Sequence, residues 1–288
     1  MTAPAWTRRR RGGALERILA SKRAEVARML AGPPLPPRRR PGGGVIEALR
    51  RPAGAPLRLL AEVKLRSPSA GDLSRVLSPR DRALCYARAG AAMISVLTDG
   101  PFFGGSFDDL AACREALDAE LGGARPRLLC KEFVIDPVQI DRAADAGADA
   151  VLLIVRIVPA GRLGALVAEA GERGLEPLVE VATEEELRAA RAAGARLVGV
   201  NARDLDTLRM DPARAAAVLA QIEPDRVAAH LSGLAAPEDV AKIAAGRADA
   251  ALVGEALMRR DDPTDLLAAM VRAAAGEGRA VGPSSPAA

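Results

Sequence analysis

The sequence predicts an α/β chain folded as a single (β/α)8 (TIM) barrel behind an N-terminal helical extension. Three observations carry that expectation. Apolar, strand-like runs recur eight times, at Leu59–Val63, Met93–Thr98, Leu128–Phe133, Ala150–Val155, Pro177–Val181, Leu197–Asn201, Val227–Ser232 and Ala250–Gly254. Ala-rich amphipathic stretches of helical length separate them, the alternation a parallel sheet needs. The runs are apolar throughout rather than alternating, as in strands buried on both faces. A doubly wound open sheet is the competing arrangement. It is disfavoured because no G-x-G-x-x-G follows the first strand and because the count is eight.

Taken in order, residues 1–13 are basic and Gly-rich and read as a disordered tail. Leu15, Ile18, Leu19, Val26, Met29 and Leu30 follow a helical period, which Gly32-Pro33-Pro34 stops. Pro36–Gly44 reads as a linker and Val45–Arg51 as a short helix, so residues 14–50 form the extension. The barrel is assigned to 51–275, with crossover helices at Pro79–Arg88, Phe107–Glu120, Pro137–Ala144, Ala160–Arg173, Glu184–Ala193, Asp211–Gln221 and Pro237–Ala244. A last helix at Pro263–Ala274 precedes a flexible tail, 276–288. Three of the crossover helices end in Ala-Gly-Ala, around Gly90, Gly147 and Gly194, where glycine supplies a left-handed cap.

Composition narrows the function. Of 288 residues 49% are hydrophobic but only 2% aromatic, so the core must be aliphatic. The net charge of +4 comes with Arg clusters at 8–11 and 38–40 that read as solvated segments. Without aromatic interleaving or a known motif, nucleic acid is not an expected partner. No apolar run is long enough to span a membrane, and no signal sequence is evident. Cys85, Cys113 and Cys130 form no paired motif, which suits buried thiols in a reducing cytoplasm. A single histidine, His230, excludes a multi-histidine metal site and is read as a strand-end or core residue. Lysine occurs at only four positions (22, 64, 131 and 242) among 41 basic residues. Where arginine fills most positions that need only charge, a lysine at a strand end suggests a need for a compact, titratable ammonium.

Barrels place their chemistry at the C-terminal strand ends. There the sequence sets Glu62 and Lys64 on one face of the first strand, Lys131 on the third, Glu180 on the fifth and Asn201 on the sixth. Each alone is explained more cheaply by a surface ion pair. Five converging on one mouth point to an active site.

The motifs A-E-V-K-x-x-S-P-S-x-G, S-V-L-T-D-x-x-F-F-G-G-S-F-x-D-L, C-K-E-F-V-I-D-P-x-Q-I, P-L-V-E-V, V-G-V-N-A-R-D-L and V-G-E-A-L-M occur in this order. Over about Leu15 to Ala274 the chain resembles the indole-3-glycerol-phosphate synthases. The resemblance implies a cofactor-free lyase that closes, decarboxylates and dehydrates 1-(2-carboxyphenylamino)-1-deoxyribulose 5-phosphate. It implies Lys131 as general acid for the condensation, and Lys64 as carboxylate holder or acid for the dehydration. Glu180 would be the base, with Glu62 orienting Lys64 or sharing that role. Asn201 and Arg203 would contact substrate, and Phe103 and Phe133 would pack its anthranilate ring or serve only as core aromatics. The phosphate would lie on Ser232, Gly233, Gly254 and the backbone of Glu255, whose carboxylate should turn aside, with Ser67 reaching across. The expected partner is this phosphorylated small molecule. A monomer or weak homo-oligomer is expected, with contact to other tryptophan-pathway enzymes left open.

One departure stands out. Where the family resembles A-E-S-G-I, this chain reads His230-Leu231-Ser232-Gly233-Leu234. A carboxylate expected beside two lysines is replaced by leucine, which leaves the mouth more positive. Two alternatives follow: a paralogue acting on a substituted anthranilate derivative, or a non-catalytic barrel that binds a phosphorylated ligand.

Overall fold

Eight parallel strands close on themselves: β1 (Arg58–Val63), β2 (Met93–Leu97), β3 (Arg127–Lys131), β4 (Ala150–Ile154), β5 (Glu176–Val181), β6 (Leu197–Val200), β7 (Val227–His230) and β8 (Ala250–Val253). Each pairs with its neighbours in sequence, and β1 pairs with both β2 and β8 to complete the barrel. The computed structural model describes residues 13–33, 43–68, 71–159 and 161–276. The expected basic tail through residue 12, most of the linker and the final tail lie outside those residues.

The crossover helices form where their caps dictate. Ser78, Ser106 and Thr183 each accept a hydrogen bond from the backbone N–H three residues on. Asp136 and Gln139 make a capping box that encloses Pro137 at the first helical position. Glycines 90, 147 and 194 adopt positive φ after their helices, as the Ala-Gly-Ala pattern predicts. The helix expected over Ala160–Arg173 begins later, at Leu163, and that over Asp211–Gln221 contracts to Pro212–Leu219, with Asp211 as its N-cap and Ala220 as its C-cap.

Six of the eight strands end one or two residues earlier than expected. The reason is local: at the mouth, side chains take over the backbone groups that a ladder would use. The Glu132 carboxylate accepts the Phe133 N–H at 2.7 Å, and Asn201 Oδ1 accepts the Arg203 N–H at 2.9 Å. Two short helices, Gly100–Phe103 and Glu255–Met258, then form in the loops after β2 and β8. The loop after β1 turns through a two-residue ladder, Arg66–Ser67 against Gly71–Asp72.

At the opposite end, acidic residues just before β4 and β8 hold the strands in register. Asp149 accepts the Leu128 N–H at 2.7 Å and a two-point contact from Arg125. Asp249 accepts the Ala228 N–H at 2.8 Å and pairs with Arg247. This end is tied for stability, and the other end is left for chemistry.

The N-terminal helix Ala14–Ala31 buries Leu15, Ile18, Leu19, Lys22 and Val26 against the barrel near the mouth. Charge on the buried face of an amphipathic helix is costly unless paired, and Lys22 is fully buried.

Candidate active site

A cavity of about 780 Å³ opens at the C-terminal ends of the strands. All thirteen residues singled out from the sequence line it: Glu62, Lys64, Ser67, Phe103, Lys131, Phe133, Glu180, Asn201, Arg203, Ser232, Gly233, Gly254 and Glu255. Leu152, Ile154 and Leu252 are among the apolar residues of the wall.

Glu62 and Lys64 do share a face. Lys64 Nζ lies 3.1 Å from Glu62 Oε1, and Lys131 Nζ lies 3.3 Å from Oε2. One carboxylate therefore bridges two ammoniums from β1 and β3. Burial alone would raise the Glu62 carboxyl, but Lys64 and Lys131 outweigh it and hold it down to about 2. Gly254 makes this arrangement possible, because a Cβ at that position would stand 2.6 Å from Glu62 Oε1. Any side chain there would push the bridging carboxylate off its lysines.

Across the mouth the environment reverses. Glu180 accepts a hydrogen bond from Asn201 Nδ2 at 3.0 Å. Asn201 Oδ1 in turn accepts from Ser232 Oγ at 2.8 Å and from the Arg203 N–H. Burial pushes the Glu180 carboxyl above its ordinary value, against the pull of Lys131 and the Asn201 bond. Asn201, expected to touch substrate, is thus also the group that orients Glu180; one Nδ2 hydrogen is left over from that bond.

Leu231 occupies the place of the expected carboxylate and is buried. Its side chain covers Gly199: a Cβ there would meet Leu231 Cδ1 at 2.4 Å and Leu178 Cδ2 at 2.7 Å. The β7 corner of the mouth is therefore apolar. His230, its neighbour, is buried outside the cavity lining, its Nδ1 has no hydrogen-bond partner, and burial lowers its pKa. That matches the core reading.

Phe103 and Phe133 face each other with ring centroids 5.7 Å apart, tilted by 36°. Near the loops after β7 and β8, Arg259 and Arg260 also line the cavity, and Arg259 engages the Glu255 carboxylate at 2.7 Å. The two arginines were not anticipated; in a chain so rich in arginine nothing sets them apart. Lys22 was missed too, although the scarcity of lysine marks it. Glu132, next to Lys131 in the chain, turns its carboxylate towards Lys22, at 2.9 Å. Among the described residues, no group of three or more His, Cys, Asp or Glu is placed to hold a metal ion.

The family model described as indole-3-glycerol phosphate synthase matches residues 15–270. The chain belongs to the indole-3-glycerol phosphate synthase family. An indole-3-glycerol phosphate synthase of Opitutus terrae is 38% identical over 265 residues, covering 87% of this chain and 96% of that one. The corresponding protein of a Nocardioides species is 45% identical over 205 residues, 71% of this chain and 76% of its own length. The multifunctional tryptophan biosynthesis protein of Schizosaccharomyces pombe is 42% identical over 205 residues, 71% of this chain; the match spans only 27% of that longer protein. Among solved structures, 3-hexulose-6-phosphate synthase from Salmonella typhimurium superposes with a TM-score of 0.60 at 16% identity, covering 77% of this chain and all of that one, a likeness of fold. Among the described residues no helix is long and apolar enough to cross a membrane.

Proposed function

We propose that this cavity carries out the ring closure of its family: 1-(2-carboxyphenylamino)-1-deoxyribulose 5-phosphate gives indole-3-glycerol phosphate, CO₂ and water. The carboxyl-bearing aromatic carbon attacks the ketone carbon as Lys131 delivers a proton to the ketone oxygen. Loss of CO₂ restores the aromatic ring. Lys64 then protonates the departing hydroxyl, and Glu180 removes the proton whose loss completes the indole. The observation that carries this reading is the opposite tuning of the two buried carboxylates. Glu62, held ionised between two ammoniums, suits a counter-charge that fixes Lys64 and Lys131. Glu180, pushed upward by burial, suits proton acceptance near neutral pH. This assigns Glu62 to orientation and Glu180 to base chemistry, a division the sequence alone left open.

The substrate's aromatic ring is placed against Phe103 and Phe133. Its phosphate is placed at Ser232, Gly233, Gly254 and the Glu255 backbone, with Ser67 and Arg203 at the rim; barrels of this kind commonly bind phosphate after strands seven and eight. The engagement of Glu255 by Arg259 supports the expectation that this carboxylate turns from the anion. No cofactor is assigned a role.

The chain is read as a cytoplasmic monomer or weak homo-oligomer. Its three cysteines are free, and the exposed large hydrophobics among the described residues, Leu30, Val76 and Met210, are scattered along the chain. Contact with other tryptophan-pathway enzymes is a separate question for pull-down among those enzymes.

The deciding experiment is fluorescence-detected formation of indole-3-glycerol phosphate by the purified protein. Turnover is expected. None with native or ring-substituted substrate, between about pH 6 and 9 where both acid and base can act, would leave the non-catalytic barrel. Turnover only with a ring-substituted substrate would favour the paralogue, the reading to which Leu231 lends its weight.

A further inference from the structure

Of the four lysines, Lys242 is on the surface, with 77% of its side chain exposed, and Lys64 and Lys131 serve the cavity. Lys22 is fully buried and is not part of the lining of that cavity. It stands on the N-terminal helix, one turn after Ile18, which forms part of the cavity wall with Ala14 and Leu15.

Three carboxylates surround its ammonium: Glu25 at 2.6 Å, Glu132 at 2.9 Å and Asp99 at 3.1 Å. Burial works against the charge, but Glu132, Glu25 and Asp99 prevail and hold Lys22 above the usual lysine range. A largely buried ion cluster is seldom the cheapest way to stabilise a fold, because desolvation offsets most of the attraction. What the carboxylates do besides holding Lys22 is therefore informative.

Asp99 caps the short helix after β2. Its Oδ1 accepts the N–H of Phe102 at 2.8 Å and of Phe103 at 3.2 Å. Glu132 follows Lys131 on the chain, accepts the Phe133 N–H at 2.7 Å and takes a hydrogen bond from Thr98 Oγ1 at 2.9 Å. Each carboxylate thus fixes the backbone of one ring of the Phe103–Phe133 pair with one oxygen. Each is fixed in its turn by the same ammonium.

We propose that Lys22 is a positioning residue for the aromatic seat: it locks Asp99 and Glu132, and through them sets Phe103 against Phe133 while holding the N-terminal helix as the wall beside them. The proposal rests on the reading that this ring pair receives the substrate's aromatic ring. It gives the N-terminal extension a defined task at the cavity beyond covering apolar surface. Lys22 touches no reacting atom, so its loss weakens binding of the aromatic portion and leaves the phosphate portion alone.

The test compares two probes, anthranilate and inorganic phosphate, by calorimetry and as competitive inhibitors, in Lys22→Met and Asp99→Asn. Methionine matches the length of lysine without its charge. Asparagine keeps an oxygen to cap Phe102 and Phe103 while losing the charge facing Lys22. In Lys22→Met, anthranilate affinity should fall about tenfold, the worth of one well-placed aromatic contact. Phosphate affinity should stay unchanged, and KM for the substrate should rise more than kcat falls. Asp99→Asn should shift the same way by a smaller factor, and carries the test should Lys22→Met not fold. Equal weakening of both probes, or of neither, overturns the proposal. Wild-type turnover is scored separately: if the wild type forms no indole-3-glycerol phosphate, the functional reading falls, while probe binding and the ring separation in a crystal structure of Asp99→Asn still report on the seat.

Discussion

The two halves of the mouth use the same residue type to opposite ends. On the β1 and β3 side, Glu62 sits between two ammoniums and its pKa falls to about 2. On the β5 to β7 side, Glu180 has an amide, a hydroxyl relay and leucine around it, and its pKa rises. Both side chains are buried. Depth is therefore not what separates them; the number of positive charges within reach is. One half stores fixed charge, the other holds a group able to change charge, and ring closure with dehydration needs both.

The largest effect should come from removing Lys131, the proposed acid, whose charge acts on both carboxylates. Lys131→Met should lower kcat by about 10³-fold, within the range of a positioned general acid, as measured by product fluorescence at saturating substrate. A loss under tenfold would transfer the acid role to Lys64 and undo the assignment.

Glu180→Gln comes next, with a loss of about 10²-fold. Its pH dependence is more telling than its size. A base works deprotonated, so wild-type kcat should climb with pH through a value above the ordinary carboxylate range, and that limb should vanish in the variant. Stability should move the other way from activity. Folding raises the Glu180 pKa, so the ionised group costs stability above its unfolded value. The amide should leave the protein as stable at pH 7 or more so, read by urea titration.

Glu62→Gln breaks the comparison from the other side. Folding lowers this pKa, so its contribution is full above about 4.5 and lost as pH falls towards about 2. The variant should be less stable at pH 7 by something on the order of 3 kcal/mol. The gap to wild type should narrow steadily below pH 4.5. A constant gap across that window would mean that packing, not charge, is what Glu62 supplies.

How much of this was legible beforehand depends on the range of the interaction. Strand count, helix caps and the shared face of Glu62 and Lys64 follow from periods of two and 3.6 residues, which a sequence displays directly. The motif positions likewise led to every lining residue named from the sequence. The Lys22 cluster did not appear, because its partners at Asp99 and Glu132 are far away in the chain and join only when the N-terminal helix docks. Glu132 is adjacent to Lys131 in the sequence, but its carboxylate turns away to Lys22, a partner that sequence proximity does not reveal. The bridging of two lysines by Glu62, and the notch at Gly254 that permits it, depend on the closed barrel, where β8 returns beside β1.

The smallest effect tests whether the apolar corner is a defect or an adaptation. Leu231 and Leu178 together cover Gly199, so a glutamate in place of Leu231 is expected to leave that apolar seat and turn its carboxylate up into the mouth. There it would add negative charge on the half that has least, within the field of Lys131. Turnover of the unsubstituted substrate by Leu231→Glu should rise a few-fold, at some cost in stability from the vacated apolar seat. The new carboxylate should also lift the Glu180 pKa further, moving the acid limb of the pH profile upward. If turnover instead stays level or falls while the limb still moves, the carboxylate has reached the mouth without helping. The leucine would then be part of what this cavity is shaped to bind, and ring-substituted substrates should be compared on the same two proteins.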